Sequence, residues 1–194
     1  GDRMSQQSLK IQWRGPYDWP QLRVPSPLDK MSGVYLWTVE SETGYVCTGC
    51  GITERTIRQR VMEHRRSYLR GAYTLLDLHS LRQGIRKEIW HGLWAGYNSD
   101  KRKAEFVRRK DELQNVANEQ MSALKIFVAK INKKRLQQRI EAAIVQTLYE
   151  AEQPYCDLPD RGTLRMPRRE SEASLTFINE SDHHFVNLAT EMLS

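Results

Sequence analysis

Apolar positions along the chain fall into short blocks whose period alternates between that of a strand and that of a helix. Gly33-Val34-Tyr35-Leu36-Trp37-Thr38-Val39 and Tyr45-Val46-Cys47-Thr48 are dense in β-branched and aromatic residues, with the polar stretch Glu40-Ser41-Glu42-Thr43-Gly44 between them. Two such runs around a short polar turn predict an antiparallel β-hairpin. Gly49 and Gly51 follow as turn signals. Over residues 55–70, Ile57, Val61, His64 and Tyr68 recur at helical spacing, and Gly71 marks the stop. Leu124 to Ile131 alternates around Ile126, Phe127 and Val128 and reads as a third strand. Residues 133–150 form the clearest amphipathic helix, with Leu136, Ile140, Ile144 and Leu148 on one face and Pro154 and Pro159 beyond its end.

The remaining stretches are less regular. Residues 1–32 hold Pro16, Pro20, Pro25 and Pro27 beside Trp13, Tyr17 and Trp19, which predicts an irregular arm whose aromatics pack on the domain. Between 72 and 98, apolar residues through Trp90, Trp94 and Tyr97 are broken by Gly84, Gly92 and Gly96, as short helices or a strand would be. Residues 100–120 read as one charged helix anchored by Phe106, Leu113 and Val116, and Leu175-Thr176-Phe177-Ile178 is strand-like. The order predicts an α+β fold with a small, central, three-stranded antiparallel sheet flanked by helices. Residues 33–157 would form the domain, with a basic helical insertion at about 72–120. Residues 1–32 would be an arm and 158–194 an extension packed on the domain.

With 194 residues, 39% of them hydrophobic, the chain is long enough for one domain with a real core. No window approaches the roughly 18 uninterrupted apolar residues of a membrane span. Gly1 to Lys10 lacks a basic-then-apolar secretory pattern, so a cytoplasmic location without membrane partners is expected. Three cysteines make no disulfide framework.

Tyr35 and Tyr45 on the hairpin, Arg60 on the helix after it, and Glu141 on the late helix are the candidates for chemistry. Each has an ordinary role open to it. A strand tyrosine packs across strands, and Arg60 with His64 can form a solvated helix face. Glu141 is more pointed, because it stands at the edge of an apolar stripe, where a carboxylate loses hydration unless a cation meets it.

Taken in order, Gly33-Val34-Tyr35, Tyr45-Val46-Cys47 ten residues on, Arg60-Val61-Met62-Glu63-His64, a third strand and a late Glu141 resemble the GIY-YIG nuclease superfamily. The resemblance covers about residues 31–157 apart from the insertion. It implies that Tyr35 and Tyr45 orient the attacking water or act as general base. It further implies that Arg60 neutralises the scissile phosphate, that Glu141 binds one Mg²⁺ or Mn²⁺, and that His64 assists proton transfer. Phosphodiester hydrolysis needs such groups: an activated water, charge stabilisation and a Lewis acid near the leaving oxygen. The pattern departs from the family in three places. Cys47 stands where the second motif ends in glycine, the stretch from Tyr45 to Arg60 is long and implies an enlarged loop over 47–54, and Asp157 occupies the region of a late asparagine. Glu150, on the same helix, is the fallback ligand for the metal.

The net charge is +6 and the pI about 9.3. Basic residues crowd three segments: Arg58, Arg65 and Arg66 on the first helix, Lys101, Arg102, Lys103, Arg108 and Arg109 in the insertion, and Lys133 and Lys134 at the start of the last helix. Such a layout points to double-stranded DNA, bound with strong salt dependence. The expectation is a stand-alone, Mg²⁺- or Mn²⁺-dependent, site-specific DNA endonuclease of restriction type, working as a homodimer or by transient pairing on DNA. The alternative is a catalytically inactive nucleic-acid-binding protein on a degenerate nuclease scaffold. A third reading has Cys47 and Cys50, with Cys156 and His183 or His184, holding zinc; ordinary buried thiols are the expectation.

Overall fold

The computed structural model describes residues 7–93 and 100–194; Trp94, Gly96 and Tyr97 lie outside the described residues. The hairpin forms from strands β3 (Gly33–Glu40) and β4 (Tyr45–Thr53), and β7 (Leu124–Ala129) pairs antiparallel with the other side of β3. Two preceding strands, β1 (Gln7–Gln12) and β2 (Arg14–Asp18), arise from the N-terminal segment. β2 pairs antiparallel with β7, so the central sheet has four strands in the order β2-β7-β3-β4.

The fold is α+β, but the sheet is not three-stranded and it does not stand alone. The N-terminal segment is not an irregular arm either. β2 accommodates Pro16 because it is an edge strand, where a missing N–H breaks no ladder on its free side, and its pairing is irregular between Arg14 and Tyr17. β1 runs parallel to β8 (Leu175–Glu180), which pairs antiparallel with β9 (Glu191–Leu193) in a second, three-stranded sheet. Trp13 links the two sheets, donating its backbone N–H to the Glu180 carbonyl at 2.9 Å and its indole N–H to Asn179 Oδ1 at 2.9 Å.

Strand alternation gives the central sheet two buried faces. On one, Tyr35, Val39, Val46, Ile126 and Val128 pack under helix α1 (Ile57–Leu69) and the insertion. On the other, Val34, Leu36, Cys47, Phe127 and Ala129 pack under Ile140, Ala143, Ile144 and Leu148 of α5 (Lys134–Glu150) and under the second sheet. Each large aliphatic or aromatic side chain buried there contributes about 1.5–3 kcal/mol. Gly33 is required at the head of β3: its φ is +128°, and a Cβ there would stand 2.2 Å from the Ala129 carbonyl oxygen.

The insertion contains strands as well as helices. A two-stranded ribbon, β5 (Leu75–Leu76) with β6 (Glu88–Trp90), encloses the short helix α2 (Leu78–Arg82). The charged stretch splits into α3 (Asp100–Arg108) and α4 (Lys110–Ala123), because Arg109 leaves helical geometry with ψ near 10°. Phe106, Leu113, Ala117 and Met121 bury the inner face of this pair. Among the described residues no helix is long and apolar enough to cross a membrane.

Candidate functional site

β4 is the outer strand of the central sheet, with α1 above one face and α5 below the other. A cleft of about 520 Å³ opens at this edge, lined by Tyr35, Trp37, Thr48 to Ile52, Arg60, His64, Tyr73 and Glu141. Two residues of β4 bear no side chain, and one of them is obligatory. A Cβ on Gly51 would stand 2.4 Å from the Tyr35 hydroxyl, whereas one on Gly49 would meet only Trp37 Cδ1 at 3.4 Å.

Helix α1 is phased by a reciprocal cap, in which Thr56 Oγ1 accepts from the Gln59 N–H at 3.2 Å and Gln59 Oε1 accepts from the Thr56 N–H at 3.3 Å. Arg60 and His64, one turn apart, therefore share the face that looks over β4. Arg60 Nη1 donates to Glu63 Oε2 at 2.6 Å, and Arg55 donates to the other oxygen at 2.6 Å. These two hydrogen bonds hold the Glu63 carboxyl down to about 2.

Tyr35, His64 and Tyr73 form a hydrogen-bonded row. Tyr35 Oη lies 3.3 Å from His64 Nε2, and Tyr73 Oη lies 2.9 Å from His64 Nδ1. Burial, and then the nearby Arg60 charge, push His64 down to about 4, so the ring is neutral at pH 7. A neutral imidazole has one donor and one acceptor nitrogen, so one phenol donates to it and the other accepts from it. Burial raises the Tyr35 phenol well above its usual range, against the opposing pull of Arg60.

Glu141 faces this row from α5. Among the described residues it makes no ion pair and accepts no side-chain hydrogen bond. Burial raises its carboxyl to about 7, and Arg60 acts in the other direction. Asp160 is the other carboxylate of the cleft, but Arg86 holds it at 2.9 Å.

Of the residues singled out by sequence, the cleft gathers Tyr35, Arg60, His64 and Glu141 and leaves out Tyr45. Tyr45 pairs with Glu40 at the turn end of the hairpin, whereas Tyr35 pairs with Gly51. Six residue steps along the strand take Tyr45 to Gly51, about 20 Å at 3.3 Å per step. The Tyr45 ring packs instead on Phe127 at 5.0 Å and on His183 at 5.5 Å, in the core of the opposite face. The enlarged loop expected over 47–54 is strand as far as Thr53, so Gly49 and Gly51 lie inside an element rather than after it.

Other expected residues also fall elsewhere. Glu150 accepts from Gln146 at 2.6 Å and lines a different cavity. Asp157 sits in a short 3-10 turn outside the cleft lining. Tyr73 is the cleft residue that sequence reading passes over, since it follows Gly71 in a non-periodic stretch and meets His64 across a turn.

The basic residues divide into two sets. Arg58 clamps the N-terminal segment, bonding Asp29 at 3.0 Å, the Val24 carbonyl at 2.7 Å and the Gln21 carbonyl at 2.8 Å. Arg109 pairs with Glu105 and Glu112, and Arg102 lies 4.8 Å from the Trp90 ring centre. Arg65, Arg66, Lys101, Lys103, Arg108, Lys133 and Lys134 make no ion pair among the described residues.

Among those residues no group of three or more His, Cys, Asp or Glu gathers in one place. Cys47 is buried in the core, where its backbone N–H and carbonyl are bonded by the Asn187 amide at 2.7 and 2.8 Å. The cleft offers a cation one unpartnered carboxylate, which suits Mg²⁺ or Mn²⁺: hard ions take one or two carboxylates and complete their shell with water and phosphate oxygens.

Comparison of the chain with family models, with curated proteins and with solved structures returns no match.

Proposed function

We propose that this chain is a metal-dependent endonuclease of GIY-YIG type that hydrolyses DNA phosphodiester bonds, cutting double-stranded DNA at specific sites in the manner of a restriction enzyme. The observation that carries this reading is one cleft where Tyr35, Arg60, His64 and Glu141, drawn from three separated segments, surround a strand edge that carries two glycines, Gly49 and Gly51. The glycine of the second family motif is met by Gly51, against the Tyr35 ring, rather than by Cys47. This register also removes the long gap between that motif and Arg60.

In this mechanism water attacks phosphorus and the P–O bond to the leaving sugar oxygen breaks, that oxygen taking a proton from solvent, while Tyr35 Oη takes a proton from the water and passes its own to His64 Nε2. The shuttle requires the His64 tautomer protonated at Nδ1, with that N–H donated to Tyr73 Oη. A free tyrosinate is not needed, which fits a buried phenol whose ionisation is disfavoured. As negative charge builds on the phosphoryl oxygens, His64 becomes easier to protonate, and the Arg60 guanidinium stabilises the same charge. Glu141 would hold the divalent ion, which when bound supplies Lewis-acid polarisation of the phosphate and the leaving oxygen. Cutting both strands calls for two such clefts, hence a homodimer or transient pairing on DNA.

One observation favours the rival reading, a non-catalytic binding protein on a nuclease scaffold. Of the two expected tyrosines, Tyr45 lies outside the cleft, and Gly49 stands two residues before Gly51, where the motif carries its tyrosine. Plasmid and phage DNA incubated with Mg²⁺ or Mn²⁺ separates the two. Discrete fragments from the parent chain, absent with Glu141→Ala and Arg60→Ala, support the nuclease. Intact DNA in every lane, with binding retained, supports the rival.

A further inference from the structure

Residues 158–174 contain neither helix nor strand, yet the segment is fastened at both ends. At its start Arg86 donates to the Leu158 carbonyl at 2.7 Å and pairs with Asp160, and Tyr149 Oη donates to the Asp160 carbonyl at 2.7 Å. Toward its end Arg135 donates to the Met166 and Pro167 carbonyls at 2.9 and 2.7 Å and pairs with Glu172. Between the fastenings the chain forms a strap carrying Arg161, Arg165, Arg168 and Arg169.

None of these four guanidiniums meets a carboxylate among the described residues. Arg161 donates to the Cys156 carbonyl at 3.0 Å and lies 4.0 Å over the Tyr149 ring. Arg165 donates to Gln146 Oε1 at 2.9 Å and stands 5.1 Å from the same ring. Arg168 bonds the Glu172 carbonyl at 2.9 Å. The contrast with Arg58, Arg60, Arg86, Arg109 and Arg135 is complete, since each of those has a carboxylate partner.

The strap is also placed where a substrate would pass. Gly162, Thr163 and Leu164 line the cleft that holds Arg60 and Glu141, and they also line a second cavity of about 600 Å³ on the other side. Arg139, Arg165 and Arg168 line that second cavity. Arg139 is buried, and its guanidinium bonds only the Ser194 hydroxyl at 2.9 Å and the Ala173 carbonyl at 2.8 Å. Arginines thus line a path from the cleft across the strap, and on it Arg165 and Arg168 pair with no carboxylate among the described residues.

We propose that the strap is the track for the DNA backbone, with Arg161, Arg165, Arg168 and Arg169 holding phosphates of the strand whose scissile bond enters the cleft. This rests on the nuclease reading for the cleft, and it moves the main phosphate contacts away from Arg58 and Arg109, which are neutralised within the fold. Planar guanidinium forks match phosphate oxygens two at a time, and stacking on Tyr149 holds two of them in a set orientation.

The test is fluorescence anisotropy of a labelled duplex in EDTA, over a range of salt, so that binding is read without cleavage. Three variants are compared with the parent: all four strap arginines changed to Gln, all four changed to Lys, and Lys101, Lys103 and Arg108 changed to Gln. The strap Gln variant is expected to lose about 100-fold in affinity, with the log–log salt slope reduced by about 3. The Lys variant keeps most of the slope, which separates lost charge from a disordered strap, and the insertion variant binds within about threefold of the parent.

Parent-like binding by the strap Gln variant, or a larger loss from the insertion variant, overturns the track. So does polyglutamate competing as well as DNA at equal charge. If strap-dependent binding is seen and no chain cuts plasmid, the track stands and the nuclease reading falls. If the parent cuts and the strap Gln variant cuts with unchanged KM, the nuclease stands and the track falls.

Discussion

The Tyr73 hydroxyl stands 2.9 Å from His64 Nδ1, while Tyr35 occupies the other ring nitrogen at 3.3 Å. In the proton path proposed above, Tyr73 accepts the Nδ1–H of His64 and so leaves Nε2 to take a proton from Tyr35. Tyr73→Phe keeps the ring, which packs edge-on against Tyr68 at 5.1 Å, and removes only the hydroxyl at His64 Nδ1. Cleavage under single-turnover conditions should fall about tenfold with DNA affinity unchanged. Equal rates for parent and variant would remove Tyr73 from the mechanism.

The two hairpin tyrosines should separate cleanly. Tyr35→Phe is expected to slow cleavage by about 10²–10⁴-fold, since the proposed proton path passes through its oxygen. Tyr45→Phe, at the far end of the hairpin, should cleave within about twofold of the parent. The comparison needs only plasmid nicking rates for the two variants side by side.

His64 should titrate with a midpoint near 4, not near its ordinary 6.5, when its ring protons are followed by NMR. Folding favours the neutral ring, so its contribution is full above pH 6.5 and is lost as the pH falls through 4. An imidazolium signal for His64 at pH 6 would contradict the burial described for it.

Glu141 works the other way. Its carboxyl ordinarily ionises near 4.5 and is raised by burial to about 7, so the folded chain resists its ionisation. The cost is absent below pH 4.5 and fully developed above pH 7. With allowance for its partial exposure, Glu141→Gln should stabilise the metal-free protein by about 1–2 kcal/mol at pH 8 and leave it unchanged at pH 4. Urea unfolding at the two pH values gives the answer, and equal effects at both would rule out the carboxylate as the source.

The two strand glycines predict unequal tolerance. Gly51→Ala drives a methyl into the Tyr35 ring and should cost about 1–3 kcal/mol, whereas Gly49→Ala meets only a Trp37 edge at contact distance and should cost under about 1 kcal/mol. Chemical denaturation of both variants measures the difference.

Elements with a sustained period were legible in the chain. The hairpin, α1, β7 and α5 each follow from the spacing of a few residues, such as Ile140, Ile144 and Leu148 along α5. Legibility failed where the decisive partner is distant. Gly49 and Gly51 look like breakers locally, and only the rings of Tyr35 and Trp37 across the ladder explain them as strand residues. β1 leaves no local sign of its parallel pairing, because its partner β8 comes near the other end of the chain. The same cause hid part of the cleft. Tyr35, Arg60, His64 and Glu141 were marked by type and order, whereas Tyr73 joins through a turn that no periodicity describes.

The cleft sits astride a sheet edge, and this governs how it can vary. Arg60 hangs from a helix above the sheet and Glu141 from a helix below it, with one strand between them. The gap between cation and carboxylate is therefore gauged by the thickness of a single backbone, carried there on two glycines. Exchanging side chains around the rim leaves that gauge untouched. Widening it would require a kink in β4 itself, so the dimensions of this site are a property of the main chain and can outlast extensive change in the residues around it.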